Sequence, residues 1–124
     1  MYLSNEQKNF ILSCDAKALG TYGDEINVVP VSSIFIREEN IVLCDYFMNK
    51  TAKNILDNPN VSISCWSGIS GIQIKGEASY HESGFLFQEI QEEIKTMHPN
   101  RILKGIIIIS PQIIYDTSLN PALI

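Results

Sequence analysis

Val61-Ser62-Ile63-Ser64-Cys65-Trp66, the turn Ser67-Gly68-Ile69-Ser70-Gly71 and the run from Ile72 to Tyr80 together decide the fold class. In the first segment Val61, Ile63 and Cys65 alternate with Ser62 and Ser64, the period of a half-buried strand. Five turn residues then lead into a second strand. So short a connection suits antiparallel neighbours, because a parallel pair needs a crossover of a dozen or more residues. Upstream, Ala16 to Tyr22 reads as a strand, Gly23-Asp24-Glu25 as its turn, and Ile26 to Ile36 as the strand that returns. Pro30 interrupts that return strand, and a proline without an N–H demands an edge or a bulge. Arg37-Glu38-Glu39-Asn40 turns the chain into Ile41 to Tyr46, and Leu103 to Tyr115 is the last strand, with Ser110-Pro111 a candidate break.

Three short helices separate these strands. Ser4 with Gln7 forms a capping box for a helix from about Asn5 to Cys14. Lys50 to Asp57 places Ala52, Ile55 and Leu56 on one side, and Asn58-Pro59 stops it. Gly84 to Met97 carries Phe87, Ile90 and Ile94 at helical spacing, and Pro99 ends it. Six strands with only short helices between them predict a mainly antiparallel β-barrel, a single domain over residues 1–124.

Composition removes several classes of function. The formal charge of −5 and the scatter of nine Lys and Arg residues leave no basic face for a nucleic acid. No apolar run reaches the length of a membrane span; the longest, Gly105-Ile106-Ile107-Ile108-Ile109, is β-branched and of strand length. The opening Met1-Tyr2-Leu3-Ser4-Asn5-Glu6 lacks the basic-then-apolar pattern of a signal peptide, so a cytoplasmic location is expected. Cys14, Cys44 and Cys65 are far apart and odd in number, and His81 and His98 lack a metal-ligand spacing, so neither a disulfide framework nor a metal site is expected.

Two segments carry chemistry. Asn27-Val28-Val29-Pro30-Val31-Ser32-Ser33 is strand backbone made irregular by proline, where a ligand can be met. In Asp45-Tyr46-Phe47-Met48-Asn49-Lys50-Thr51-Ala52-Lys53-Asn54-Ile55 a strand ends and a helix begins. Asn49 stands at a capping position, and Lys50 and Thr51 fall in the first turn. A helix start offers free N–H groups and partial positive charge, to which Lys50 adds a full charge and Thr51 a hydroxyl, a suitable place for a phosphate monoester. A short helix beginning in this way often has only a solvated lysine; the order of the surrounding parts distinguishes this one.

That order is a helix, a strand, a Gly-Asp turn, a strand with Val-Val-Pro-Val, a strand, Asn49-Lys50-Thr51-x-x-Asn54-Ile55, Asn58-Pro59-x-Val61, a strand, and Gly71-Ile72-Gln73-Ile74-Lys75-Gly76 followed by Glu77-Ala78. It resembles the pyridoxamine 5′-phosphate oxidase-like family of FMN-binding split barrels, from Ser4 to about Tyr115. The resemblance implies a six-stranded antiparallel split β-barrel that binds FMN at the interface of a homodimer. It implies that Lys50 and Thr51 hold the FMN phosphate with Asn49 close by. Val29, Pro30, Val31, Ser32 and Ser33 would then run along the flavin ring, with Cys44 and Asp45 at the ring edge through their backbone. Gly71 would offer backbone or room, and the other subunit would complete the pocket, with its turn Pro99-Asn100-Arg101, and Arg101 above all, the candidate contributor. Val29 and Val31 would be core residues in any barrel, and Gly71 could equally be a turn glycine.

Pyridoxamine-phosphate oxidases proper are longer and end in an arginine-containing segment that binds substrate. No arginine follows Arg101 here, and that activity is not expected. The function implied is an FMN-binding oxidoreductase in which the flavin passes hydride or electrons to a small acceptor, from a small-molecule donor left open. The alternatives are a flavin-binding or electron-carrier protein without a dedicated substrate, and a barrel for another ligand such as haem or a deazaflavin. A flavin ring lying on the outside of so small a barrel needs a second wall, which a twofold copy supplies. Ile106 to Ile109 are apolar on both strand faces, and Trp66 and Phe47 lie near strand ends; this apolar surface is expected to serve the dimer.

Overall fold

The structure is a computed structural model that describes residues 2–119. Its elements run α1 (Asn5–Ser13), β1 (Ala16–Tyr22), β2 (Ile26–Pro30), β3 (Ile34–Arg37), β4 (Asn40–Asp45), α2 (Asn49–Asp57), β5 (Asn60–Ser67), β6 (Ser70–His81), α3 (Phe85–Met97) and β7 (Gly105–Asp116). All strand pairs are antiparallel, in the order β2-β1-β5-β6-β7-β4-β3. The capping box forms as expected, with Gln7 N donating to Ser4 Oγ at 3.0 Å and Ser4 N to Gln7 Oε1 at 2.9 Å.

Two expectations are corrected. There are seven strands, not six, and the sheet is not closed by strand pairing. The predicted strand from Ile26 to Ile36 breaks into β2 and β3, which form the two edges of the sheet. The chain changes partner in the middle: Val31 N donates to Lys17 O on β1 at 3.0 Å, whereas Cys44 N of β4 donates to Ser33 O at 3.2 Å. Ser32 is therefore the crossing point. The four steps from Pro30 to Ile34 span at most about 14 Å, so the sheet must curl until its two edges nearly meet there. Pro30 sits on an edge strand, where its missing N–H costs no ladder bond.

The curled sheet encloses one core. Leu19, Ile63, Cys65, Ile74, Ile107, Ile109, Leu43 and Ile41 are fully buried within it, and α1 contributes Ile11. A second core lies on the other face of β4 and β7, where Val42, Cys44 and Ile106 pack against Phe87, Ile90 and Ile94 of α3. This corrects the reading of Ile106 to Ile109: their two apolar faces serve the core inside the curled sheet and α3, so covering them requires no second copy. A strand buried on both faces reads as a continuous apolar run.

The opposite face of the sheet is different. Cross-strand rows run Pro30–Ala18–Ser64–Gln73–Tyr115 and Val28–Gly20–Ser62–Lys75–Ile113. Small residues fill the middle, and the apolar rims remain open, with Val28 65% and Tyr115 47% exposed.

Candidate functional site

The partner change at Ser32 opens a cleft of about 510 Å³ between the split, the end of β4 and the loop from α3 to β7. Ser32, Tyr46, Phe47, Asn100, Arg101, Ile102 and Lys104 line it. The loop is shaped locally: His98 ends α3, Pro99 cannot continue it, and Arg101 N donates back to His98 O at 3.0 Å. That turn aims Arg101 across the split. Its Nη1 donates to Ser33 Oγ at 3.4 Å, and its guanidinium stands 5.3 Å from the centroid of the Tyr46 ring. Ser33 Oγ and Tyr46 Oη share a hydrogen bond of 2.9 Å. Lys104 lies beside them, its Nζ donating to Asn49 Oδ1 at the first residue of α2 and its backbone N to Asp45 O at 2.9 Å. Two cations, Ser32 and Tyr46 therefore line one opening, with buried Ser33 and the start of α2 hydrogen-bonded to them, and Phe47 and Ile102 form apolar walls, 92% and 86% exposed.

Beneath this cleft lies a buried carboxylate. Asp45 is fully buried; its Oδ1 accepts from Met48 N at 2.5 Å and its Oδ2 from the Tyr80 phenol at 2.5 Å. Met48 is the residue that opens α2, and it has no side-chain cap of its own, so Asp45 satisfies the start of that helix. Burial first, and then the hydrogen bond to Asp45, push the Tyr80 phenol well above the usual tyrosine range. It stays a donor. Burial likewise pushes the Cys44 thiol up to about 11, which leaves it an inert core residue.

The structure brings together Ser32, Ser33, Asp45, Asn49 and Arg101 of the residues singled out from sequence. The others lie elsewhere in the single chain. Lys50 Nζ reaches away to Glu25 Oε1 at 2.7 Å, an exposed ion pair on the β1–β2 hairpin. Thr51 is fully buried, and its Oγ1 accepts from Asn27 Nδ2 at 3.0 Å. Val29, Pro30 and Val31 line a separate groove of about 500 Å³ with Trp66, against the open sheet face. Gly71 lies at the far end of β6, where its N donates to Ser118 Oγ at 3.0 Å. A Cβ on Gly71 would meet Thr117 Oγ1 at 2.7 Å, so close packing of the 117–118 segment explains that glycine. Cys44 faces the α3 core through its side chain.

Sequence reasoning had Tyr46 and Phe47 within its second segment without giving either a place in this cleft, and it missed Lys104 and Tyr80. Arg101-Ile102-Leu103-Lys104 does carry a signal, two cations three residues apart in the loop before a strand. Tyr80 carries none, because its partner lies two strands away. Among the described residues, no group of three or more His, Cys, Asp or Glu could hold a metal ion. No described helix is long and apolar enough to cross a membrane. The expectation about the segment 120–124, that it supplies no substrate-binding arginine, lies outside the described residues.

Comparison with known proteins bears on this geometry. The family model described as pyridoxamine 5′-phosphate oxidase matches residues 3–114. An uncharacterised protein of Methanocaldococcus jannaschii is 37% identical over 86 residues, 68% of this chain and 58% of that relative, so the match spans less than two-thirds of the relative's length. Among solved structures, HupZ of Group A Streptococcus superposes with a TM-score of 0.82 at 16% identity, covering 95% of this chain and 99% of that one. An FMN-binding protein from Syntrophomonas wolfei superposes at 0.73 and 20% identity, covering 90% and 80%. An F420 reductase does so at 0.69 and 11%, covering 91% and 98%. At these identities the structural likeness concerns the fold.

Proposed function

We propose that this chain, which belongs to the pyridoxamine 5′-phosphate oxidase family, binds FMN and serves as an FMN-dependent oxidoreductase for a small-molecule donor and acceptor. The observation that carries the reading is that Arg101 and Lys104 line one cleft, Arg101 bonded to Ser33 at the split and Lys104 to Asn49 at the start of α2. A phosphate dianion needs charged donors and hydroxyls held at one place, and charge-assisted hydrogen bonds are the strong ones. The donor set of the cleft fits that group. Phe47 and Ile102 fit an apolar ring, and a cleft of about 510 Å³ lies in the size range of cofactor sites. Bound flavin supplies hydride or electron transfer, and the protein's part is binding and orientation.

The chain's own residues divide that work. Arg101 and Lys104 hold the anion, and Ser32, Ser33 and Asn49 complete its hydrogen bonds. Lys50 joins them by releasing Glu25, which costs little because an ion pair so exposed is screened by solvent. Thr51 contributes through its backbone, since its hydroxyl is committed to Asn27. A second copy of the chain seats on the open sheet face and brings the Val29–Val31 groove, Trp66 and Gly71 toward the flavin of its partner. That the cleft is open on one side and that this face bears apolar rims both support the homodimer. A cytoplasmic setting suits a cofactor of this kind.

The test begins with the absorption spectrum of protein purified without added cofactor, followed by titration of FMN monitored by flavin fluorescence. Native protein is expected to carry or take up FMN, and Arg101→Ala and Lys104→Ala are each expected to weaken binding by about 1–3 kcal/mol. Steady-state oxidation of NADH or NADPH then tests turnover. Colourless protein that leaves FMN fluorescence unchanged overturns the reading.

A further inference from the structure

We propose that Asp45, Tyr80 and Gly105 form a positioning unit that holds the phosphate-binding groups of the cleft in register; this rests on the flavin reading above. Neither Asp45's carboxylate nor Tyr80 would touch the cofactor. Their effect passes through the residues that do.

Asp45 is tied at three atoms to three parts of the molecule. Its Oδ1 accepts from Met48 N at the start of α2, its Oδ2 accepts from the Tyr80 phenol on β6, and its carbonyl accepts from Lys104 N in the loop before β7. The two groups offered to an anion, the first turn of α2 and the Lys104 ammonium, are thus fixed to one residue. Asn49 then links them directly through its bond with Lys104 Nζ. A shift of Asp45 moves both together.

A cap for a nine-residue helix does not need a fully buried carboxylate. Serine, threonine or asparagine would serve, whereas burying a charge is costly unless each lone pair is bonded. The second oxygen of Asp45 is bonded by a side chain from a strand that is not its neighbour. In the sheet order β6-β7-β4, Tyr80 must cross β7 to reach it. It crosses over Gly105, the β7 residue paired with Asp45. A Cβ on Gly105 would lie 2.4 Å from the phenol oxygen and 2.5 Å from Cζ, so any side chain there forces the phenol to shift. Three strands contribute to holding this one carboxylate, and the glycine is required by that crossing.

The test compares FMN with riboflavin, which lacks the phosphate, on native protein, Tyr80→Phe and Gly105→Ala. Tyr80→Phe keeps the ring and removes only the hydroxyl; Gly105→Ala displaces the phenol by a different route. Both variants are checked for native near-ultraviolet circular dichroism before titration. A positioning role predicts that FMN affinity falls about tenfold, the effect of one hydrogen bond to a charged group, while riboflavin affinity stays within about twofold of native. A merely structural role would move both ligands equally. Loss of affinity for both ligands by the same factor, or unchanged FMN affinity in folded Tyr80→Phe, overturns the positioning role alone. Native protein that binds no FMN overturns the flavin reading and the positioning role with it.

Discussion

At the scale of single residues, the thiols and the cleft cations stand in opposite surroundings. Cys44 and Cys65 are buried in the two cores, and burial pushes their thiols from an ordinary 9.0 to about 11 and about 12. A raised thiol pKa means that the folded state keeps its proton where the unfolded chain has lost it. Between the two values the folded state binds more protons, so stability falls as pH rises. Chemical denaturation should therefore show the thiol contribution to stability intact at pH 9 and declining from about 9 toward 11. Replacing Cys44 with Ala should flatten part of that slope, and an unchanged slope would assign it to other groups. In native protein at pH 8, a disulfide reagent such as dithiobis(nitrobenzoate) should label none of the three cysteines until the chain unfolds, since all are buried. Arg101 and Lys104 are exposed and charged, free to meet a ligand.

At the scale of elements, α3 has a task the strands of the curled sheet cannot perform. It closes the outer face of β4 and β7, and through its end it delivers the loop that carries Arg101 and Lys104. Arg37 of β3 reinforces the placement, with Nη2 at 2.6 Å from Glu93 and Nε at 3.1 Å from Glu89. Ile90 is fully buried between α3 and the sheet. Ile90→Ala should cost about 2–5 kcal/mol in urea denaturation, the range for a large core side chain cut to alanine. Because the same helix positions the cleft loop, FMN affinity should fall in this variant as well, even under conditions where it is folded. A folded Ile90→Ala protein with native FMN affinity would separate α3 from the site.

For the whole molecule, the open sheet face is the surface through which the proposed dimer would assemble. Its middle is lined with Ala18, Gly20, Ser62 and Ser64, which lets another surface approach closely, and its rims are apolar. Ala18→Arg places a long charged side chain in the centre of that face without touching either core. Sedimentation velocity should show native protein as a dimer and Ala18→Arg as a folded monomer with weakened FMN binding. If FMN binds the dimer only, added FMN should raise the dimer fraction at low protein concentration, by mass action. Tight FMN binding by a monomer would refute the shared pocket.

The sequence by itself determined what depends on neighbours along the chain. Periods of two and of three to four residues marked the strands and helices to within about two residues, and Ser4 with Gln7 announced the first cap. Pro30 announced an irregularity in its strand, and the order of motifs announced the family. It did not reveal that the strand from Ile26 to Ile36 changes partner at Ser32, because either half alternates well enough to be one strand. Nor did it separate the two apolar faces of Ile106 to Ile109, since a strand covered by a helix and a strand covered by a second chain carry the same residues. The site is the extreme case. Tyr80 and Asp45 are 35 residues apart, Lys104 and Asn49 55, and Arg101 and Ser33 68. Only the order of strands across the curled sheet brings them together. That order is set by which pairings bury the most apolar surface at once, a property of the whole chain that no local pattern encodes.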